Sequence, residues 1–388
     1  MTATPRRTSK TGNTPGTTHA ARKTSARKAS SQKSGSQKTN SQKTTARSNR
    51  RRASNDEPWW LDLPREELLD LRVCDLDLRV EGTWLEGPIG RLLDELAERG
   101  LRVRPQFWLS DDWFCPEGIA GIAIPFYLAH PRLMRIERRF MHEVEGGSQR
   151  ECLRLLRHEM GHVLQHAFHL QRRARWQRAF GSSRRPYPEF YSPNPTSRNF
   201  VQYLDYWYAQ SHPLEDFAET FAVWLDPRSR WRRHYLGWGA LTKLLYVDEL
   251  MGELQGGRPT GVPRRRVDDV SQIKRTLREY YREKRERYGA GFAELYDRDL
   301  RRLFTPHGNG RASVYLRTNR RAIRERVLPY LENDGYAIDH VLRELMGRCD
   351  ELRLALPDTS RNLLEECTLL VTVHTTQCLH GRREWYPM

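Results

Sequence analysis

The sequence predicts an α+β fold: a small mixed sheet toward the N-terminal side, two long amphipathic helices after it, and a mainly helical C-terminal region. Three observations carry this. β-prone runs are confined to residues 76–130, apolar residues recur every three or four positions over 149–169 and 212–227, and an Arg-rich helical pattern fills the chain beyond 264. At 388 residues the chain has room for two domains and a sizeable core.

Order is expected to begin near Pro58, where "PWWLDLP" supplies the first aromatic side chains. "LDLRVEGTW" (76–84) reads as a strand, "GPIGRLLDELAERG" (87–100) as a helix opened by Pro88 and closed by Gly100, and "LRVRPQFWLS" (101–110) as a second strand. Together they make a strand–helix–strand unit. A third β-prone run, "GIAGIAIPFYLAH" (118–130), carries Pro125, which confines it to an edge or a bulge. After the loop "EVEGGS", a helix is expected from about Gln149 to His169, with Cys152, Leu155, Leu156, Met160, Val163, Leu164 and Ala167 on its apolar face. A Pro- and Tyr-rich stretch follows, and then a helix in "HPLEDFAETFAVWLDP" (212–227), with Pro213 in its first turn. "QGGRPTGVP" (255–263) suggests a boundary near 260, dividing 58–260 from a helical region at 264–388 that closes on a possible strand, "CTLLVTVHT".

Charge separates the first 55 residues from the rest. They hold 14 of the 66 basic residues and no acid, so 52 basic face 49 acidic residues in the remainder. The tail has no Val, Ile, Leu, Phe, Trp or Tyr and repeats "SQKSG SQKTN SQKTT" from Ser31, so it cannot bury enough apolar surface to order itself. Residues 1–55 are expected to be disordered. They are either an electrostatic arm for nucleic acid or an anionic surface, or a solvated leader without a specific partner. The tail lacks the apolar run of a secretory signal and the apolar side of a transit peptide. With no run approaching 18 apolar residues either, the expectation is a cytoplasmic protein without a membrane span. Cysteines 74, 115, 152, 349, 367 and 378 form no CxxC pair, which argues for free thiols over a zinc ribbon or a disulfide framework.

The chemistry is concentrated in "LLRHEMGHVL" (155–164). Residues four apart share a helical face, so His158 and His162 can point imidazole nitrogens at one Zn²⁺ ion. In this HExxH arrangement Glu159 is no ligand; it is placed to take a proton from water and pass it to a leaving amine. Two histidines on an ordinary helix would need no metal, but here the motif is flanked by Leu155, Leu156, Val163 and Leu164 and is free of proline. A third ligand is required. A histidine ten residues after the first is absent, since Phe168 stands there, and His166 lies about 12 Å along the axis from His158. "EDFAE", 53 residues after His162, offers Glu215, Asp216 and Glu219. Glu215 is the expected metal ligand, with Glu219 one turn on to orient a ligand histidine. First-turn acids that complement the helix dipole would also account for Glu215 and Asp216. Tyr203, Tyr206, Tyr208 and His212 are candidates, by position alone, for an oxyanion-stabilising donor.

"HEMGH" followed by "HPLEDFAETFAVWL" resembles the zinc-binding metallopeptidases of the zincin-like group, over about Pro58 to Gly257. The resemblance implies a zincin-like fold, a Zn²⁺ cofactor, hydrolysis of a peptide or protein substrate, and roles for His158, Glu159, His162 and Glu215. Glu219 stands where the group usually has Asp or Asn. In such folds an edge strand before the active-site helix holds extended substrate, a role open to "GIAGIAIPFYL". A reading from another class is a nucleic-acid-associated scaffold or sensor with a structural or latent zincin domain and a basic arm, in which the C-terminal helices regulate or recruit.

Overall fold

The computed structural model describes residues 58–141, 143–188, 190–257, 259, 265–288, 296–331, 334–358, 362–380 and 386–387. The basic tail, with its expected disorder, lies outside them, as does most of the segment around 260.

A short helix α1 (Arg65–Leu69) and a longer one, α2 (Glu86–Glu98), open the structure. Between them, 76–84 is not a strand. Val73–Leu76 forms a 3-10 turn, and Asp77 (φ 50°) and Gly82 (φ 75°) are left-handed. Leu76 and Val80 are buried as the alternation suggested, but a left-handed residue between them bends the chain away from any ladder. Helix α2 does end as its sequence implies. Gly100 is left-handed at φ 72°, and the Leu101 amide returns to the Leu96 carbonyl at 2.9 Å.

Strands β1 (Gln106–Ser110) and β2 (Gly121–Pro125) pair in parallel, with Trp108 opposite Ala123. The expected strand–helix–strand unit is therefore replaced by a helix followed by two strands, joined by the irregular segment 111–120. β2 ends at Pro125, and Phe126–Ala129 turns into a 3-10 helix, so only part of the 118–130 run is extended. Its outer edge is not open at the centre. The Ala123 amide already donates to the Phe114 carbonyl at 2.9 Å, and Pro125 has no amide to offer.

Next come α3 (Pro131–Met141) and α4 (Gln149–Ala167). Ser148 caps α4 by accepting from the Glu151 amide at 3.3 Å, the start of a capping box. Buried Arg157 anchors α4 with two bonds to Glu95 of α2, both 2.8 Å, and an ion pair of 2.9 Å to Asp226. Helices α5 (Ala174–Phe180), α6 (Pro213–Leu225), α7 (Trp231–His234) and α8 (Gly239–Leu254) follow, with α6 packed on α4, α5 and α8 on α6, and α7 on α8. α6 begins as its sequence implies: Pro213 occupies the first turn, and His212 Nδ1 accepts from the Leu214 amide at 3.2 Å. Nearly every residue of α6 is buried.

One hydrophobic core runs from Trp60 to Tyr281 and so includes α9 (Leu277–Tyr288), beyond residue 260. A second core, from Tyr296 to Val371, joins α10 (Asp297–Leu303), α11 (Ala312–Val327), α12 (Gly335–Glu351) and α13 (Leu363–His380). The expected strand at 367–375 is inside α13. Its threonine hydroxyls bond back to carbonyls four residues earlier, Thr368 to Leu364 at 2.7 Å and Thr375 to Val371 at 2.7 Å, so β-branched side chains satisfy themselves on a helix. Cys367, Leu370, Val371 and Thr375 are buried at helical spacing, and this packing outweighs the β-prone composition. The pair β3 (Phe190–Tyr191) and β4 (Tyr386–Pro387) is antiparallel. All six cysteines are free. No helix among the described residues is long and apolar enough to cross a membrane.

Candidate metal centre

Helices α4 and α6 meet along two faces with the same spacing. From α4 come His158, Gly161, His162 and Gln165; from α6 come Glu219, Ala218, Glu215 and Leu214, in the reverse order, so the helices run antiparallel. Gly161 permits the approach. A Cβ built there would stand 2.8 Å from the Ala218 Cα and 3.2 Å from its carbonyl oxygen.

At this crossing His158 Nε2, His162 Nε2 and Glu215 Oε2 form a triangle with all three sides 3.1 Å. The outer nitrogens are committed elsewhere. His158 Nδ1 lies 2.8 Å from Glu219 Oε1, and His162 Nδ1 lies 2.9 Å from Gln165 Oε1. A carboxylate can only accept, and Gln165 is oriented by its own amide, which donates to the Leu214 carbonyl at 3.2 Å. Both Nδ1 atoms therefore carry hydrogen, and both Nε2 atoms face one another and Glu215. Glu219 is held in turn by the Leu204 amide, 2.8 Å from Oε2.

The centre is dry. His158 is 3% exposed, Glu215 4% and Glu159 6%. Burial opposes charge on His158, but its bonds to Glu215 and Glu219 outweigh that and hold its pKa well above the ordinary value. Burial likewise raises the Glu215 carboxyl, yet the two histidines bring it well below the usual carboxylate range. Glu159 is pushed up by burial, with His158 and His162 opposing, and its Oε2 has no hydrogen-bond partner among the described residues.

Other candidates are placed elsewhere. Asp216 turns away to Lys243, 2.6 Å from its Nζ, and burial lifts its carboxyl to about 7 with Lys243 opposing. His166 is outside the cluster, and burial depresses its imidazole to about 4 with His162 and His169 adding to the effect. His212 is used as the α6 cap, with Nε2 2.7 Å from the Arg185 carbonyl, and Tyr206 donates to Glu344 at 2.9 Å. Tyr203 is buried with Arg154 over its ring. Tyr208 alone of the four packs on a cluster residue, its ring 5.7 Å from that of His158.

Two contacts were not anticipated. Gln165 lies three residues beyond His162 on the same helix, so the spacing itself was a signal for it. Tyr187 donates to Glu215 Oε1 at 2.7 Å while its ring stacks on His212 at 3.9 Å. It sits in a loop between two prolines, where no periodicity points to a partner.

Residues 132–231 match the model of a family described as "Putative zinc-binding metallo-peptidase". The matched span contains α4, α6 and every residue of the His–His–Glu cluster. The family resemblance read from "HEMGH" and "HPLEDFAET" holds over that segment. No curated protein and no solved structure matches the chain.

Proposed function

We propose that this protein is a zinc-dependent metallopeptidase with a zincin-like catalytic domain, in which His158, His162 and Glu215 hold the metal. One observation carries the reading: three buried ligand atoms converge within 3.1 Å of one another with their outer sides already bonded, an arrangement that a shared metal ion would complete. The donor set fits zinc. Ligands about 2.0–2.1 Å from a tetrahedral ion stand roughly 3.3 Å apart, close to the 3.1 Å sides here, and two imidazoles with one carboxylate leave a fourth position for water or substrate.

Held by His158, His162 and Glu215, a zinc ion would supply Lewis acidity to a peptide carbonyl and would acidify water toward a pKa of about 7. The protein does the rest. Glu159, with its buried and unpartnered Oε2, takes the proton from the attacking water as the new C–O bond forms. It returns that proton to the amide nitrogen as the C–N bond breaks. Glu219 and Gln165 keep both histidines turned inward, and Tyr187 occupies the outer oxygen of Glu215.

The test is metal analysis alongside cleavage of an unstructured protein. Wild type and Glu159→Gln are expected to carry one zinc per chain, with cleavage lost only in the variant. Full cleavage by Glu159→Gln, or wild-type protein that takes up no zinc, defeats the proposal.

A further inference from the structure

The segment Leu204–Tyr208 joins the metal centre to the C-terminal helices, and its backbone is strained. Tyr206 (φ 59°, ψ 22°) and Trp207 (φ 52°, ψ 41°) are consecutive left-handed residues, and neither is glycine. A bulky residue disfavours this conformation, and two in succession persist only where surrounding groups over-determine them.

The constraints come from two sides. On the metal side, the Leu204 amide donates to Glu219 Oε2 at 2.8 Å, and Tyr208 lays its ring against His158. On the other side stands one face of α12, made by Tyr336, His340, Arg343 and Glu344, at the spacing i, i+4, i+7 and i+8. The Tyr336 hydroxyl donates to the Leu204 carbonyl and accepts from the Trp207 amide at 3.2 Å, so one oxygen closes both ends of the strained turn. Glu344 accepts from the Tyr206 hydroxyl at 2.9 Å, and Arg343 pairs with Asp205 at 2.6 Å. The His340 ring meets those of Tyr206 and Trp207 edge-on at 5.0 and 5.1 Å.

We propose that the C-terminal helical bundle sets the metal centre through this clamp, with Tyr336 as the positioning residue. It holds the Leu204 carbonyl, and so the residue whose amide donates to Glu219, and Glu219 fixes the His158 ring. Nothing in α12 needs to touch substrate or metal. The inference rests on the reading of His158, His162 and Glu215 as metal ligands and adds a second part of the chain to that site. A metallopeptidase domain so arranged is sensitive to whatever moves α12.

The full-length chain loaded with zinc, and separately with cobalt, tests this. Tyr336→Phe removes one oxygen and keeps the ring on Trp207. Its expected effect is about tenfold weaker zinc retention in competition with a chelator, the low end of what loss of a ligand-orienting partner produces. An altered ligand-field spectrum of the cobalt form should accompany it. Ser313→Ala, which loosens the bundle at Asp350 away from the clamp, is expected to retain zinc like wild type. If Tyr336→Phe does not fold, Glu344→Ala removes the carboxylate that accepts from the Tyr206 hydroxyl and carries the same expectation. Zinc retention in the clamp variant within twofold of wild type, or an equal loss in Ser313→Ala, overturns the clamp. Wild-type protein that binds no zinc instead overturns the metal site beneath it.

Discussion

Gly161 and Ala218 are the point at which α4 and α6 touch, with room for a hydrogen but not for a methyl group between them: a Cβ on Gly161 would lie 2.8 Å from the Ala218 Cα. The flanking residues His158 and His162 on one helix, and Glu215 and Glu219 on the other, reach each other because of that approach. Any residue larger than glycine forces the helices apart by the neighbour that cannot give way, which here is backbone.

Gly161→Ala should therefore destabilise the protein by about 1–3 kcal/mol through overpacking, even though alanine is the better helix former by about 1 kcal/mol. Zinc retention should fall with it. Urea unfolding and chelator competition measure the two effects, and a variant at least as stable as wild type would show that the approach is not constraining.

Glu219→Ala removes the acceptor that orients His158 and leaves the Leu204 amide unpaired. Zinc affinity should drop about 10- to 100-fold, while His158→Ala abolishes stoichiometric binding. Unchanged affinity in Glu219→Ala would mean that packing alone, by Tyr208 among others, orients the imidazole.

Tyr187→Phe frees Glu215 Oε1, whose bond to the tyrosine hydroxyl is 2.7 Å. With that oxygen uncommitted, zinc retention is expected to fall by about tenfold. An isothermal competition titration of the two proteins decides it.

His340 gives a pH dependence whose sign can be worked out. Burial, with Arg343 adding to it, lowers its pKa from 6.5 to about 3 in the folded protein. As pH falls, the unfolded chain takes up the proton first, so stability is complete above about pH 6.5 and is lost progressively toward pH 3. Between pH 7 and pH 5 this one group should remove about 2 kcal/mol. Urea unfolding at both values should show that loss in wild type and a smaller one in His340→Phe; equal losses would assign the acid sensitivity to other groups.

Deleting residues 1–55 removes 14 basic residues and no acid. If the tail is an arm for nucleic acid, the intact chain binds DNA with an affinity that falls steeply with salt, and the deletion abolishes binding while leaving zinc content unchanged. No binding by the intact chain at low salt removes that reading.

Much of the centre was legible in the sequence. Spacing alone placed His158 and His162 on one helical face and Glu215 and Glu219 on another, because helical geometry is local and repeats every 3.6 residues. The end of α2 and the start of α6 were legible for the same reason: Gly100 and Pro213 act on their own turns, whereas His212, expected only as an oxyanion candidate, serves as the α6 cap. Strands were read less well, since a strand exists only through a partner. Alternation at 76–84 could not reveal that no partner comes, and the threonine-rich run in α13 could not reveal that α11 and α12 would bury it as a helix.

The sequence by itself thus determined the two helices of the centre, which side chains each presents, and the chemistry that two histidines and a carboxylate can share. The tertiary structure alone decided that Asp216 faces Lys243, that Tyr187 reaches Glu215 from a loop, and that α12 holds a strained turn against Glu219. The physical reason is one of range. Periodicity and capping act within a turn or two of chain, whereas these bonds join residues 27 to 132 positions apart and depend on how packed helices approach.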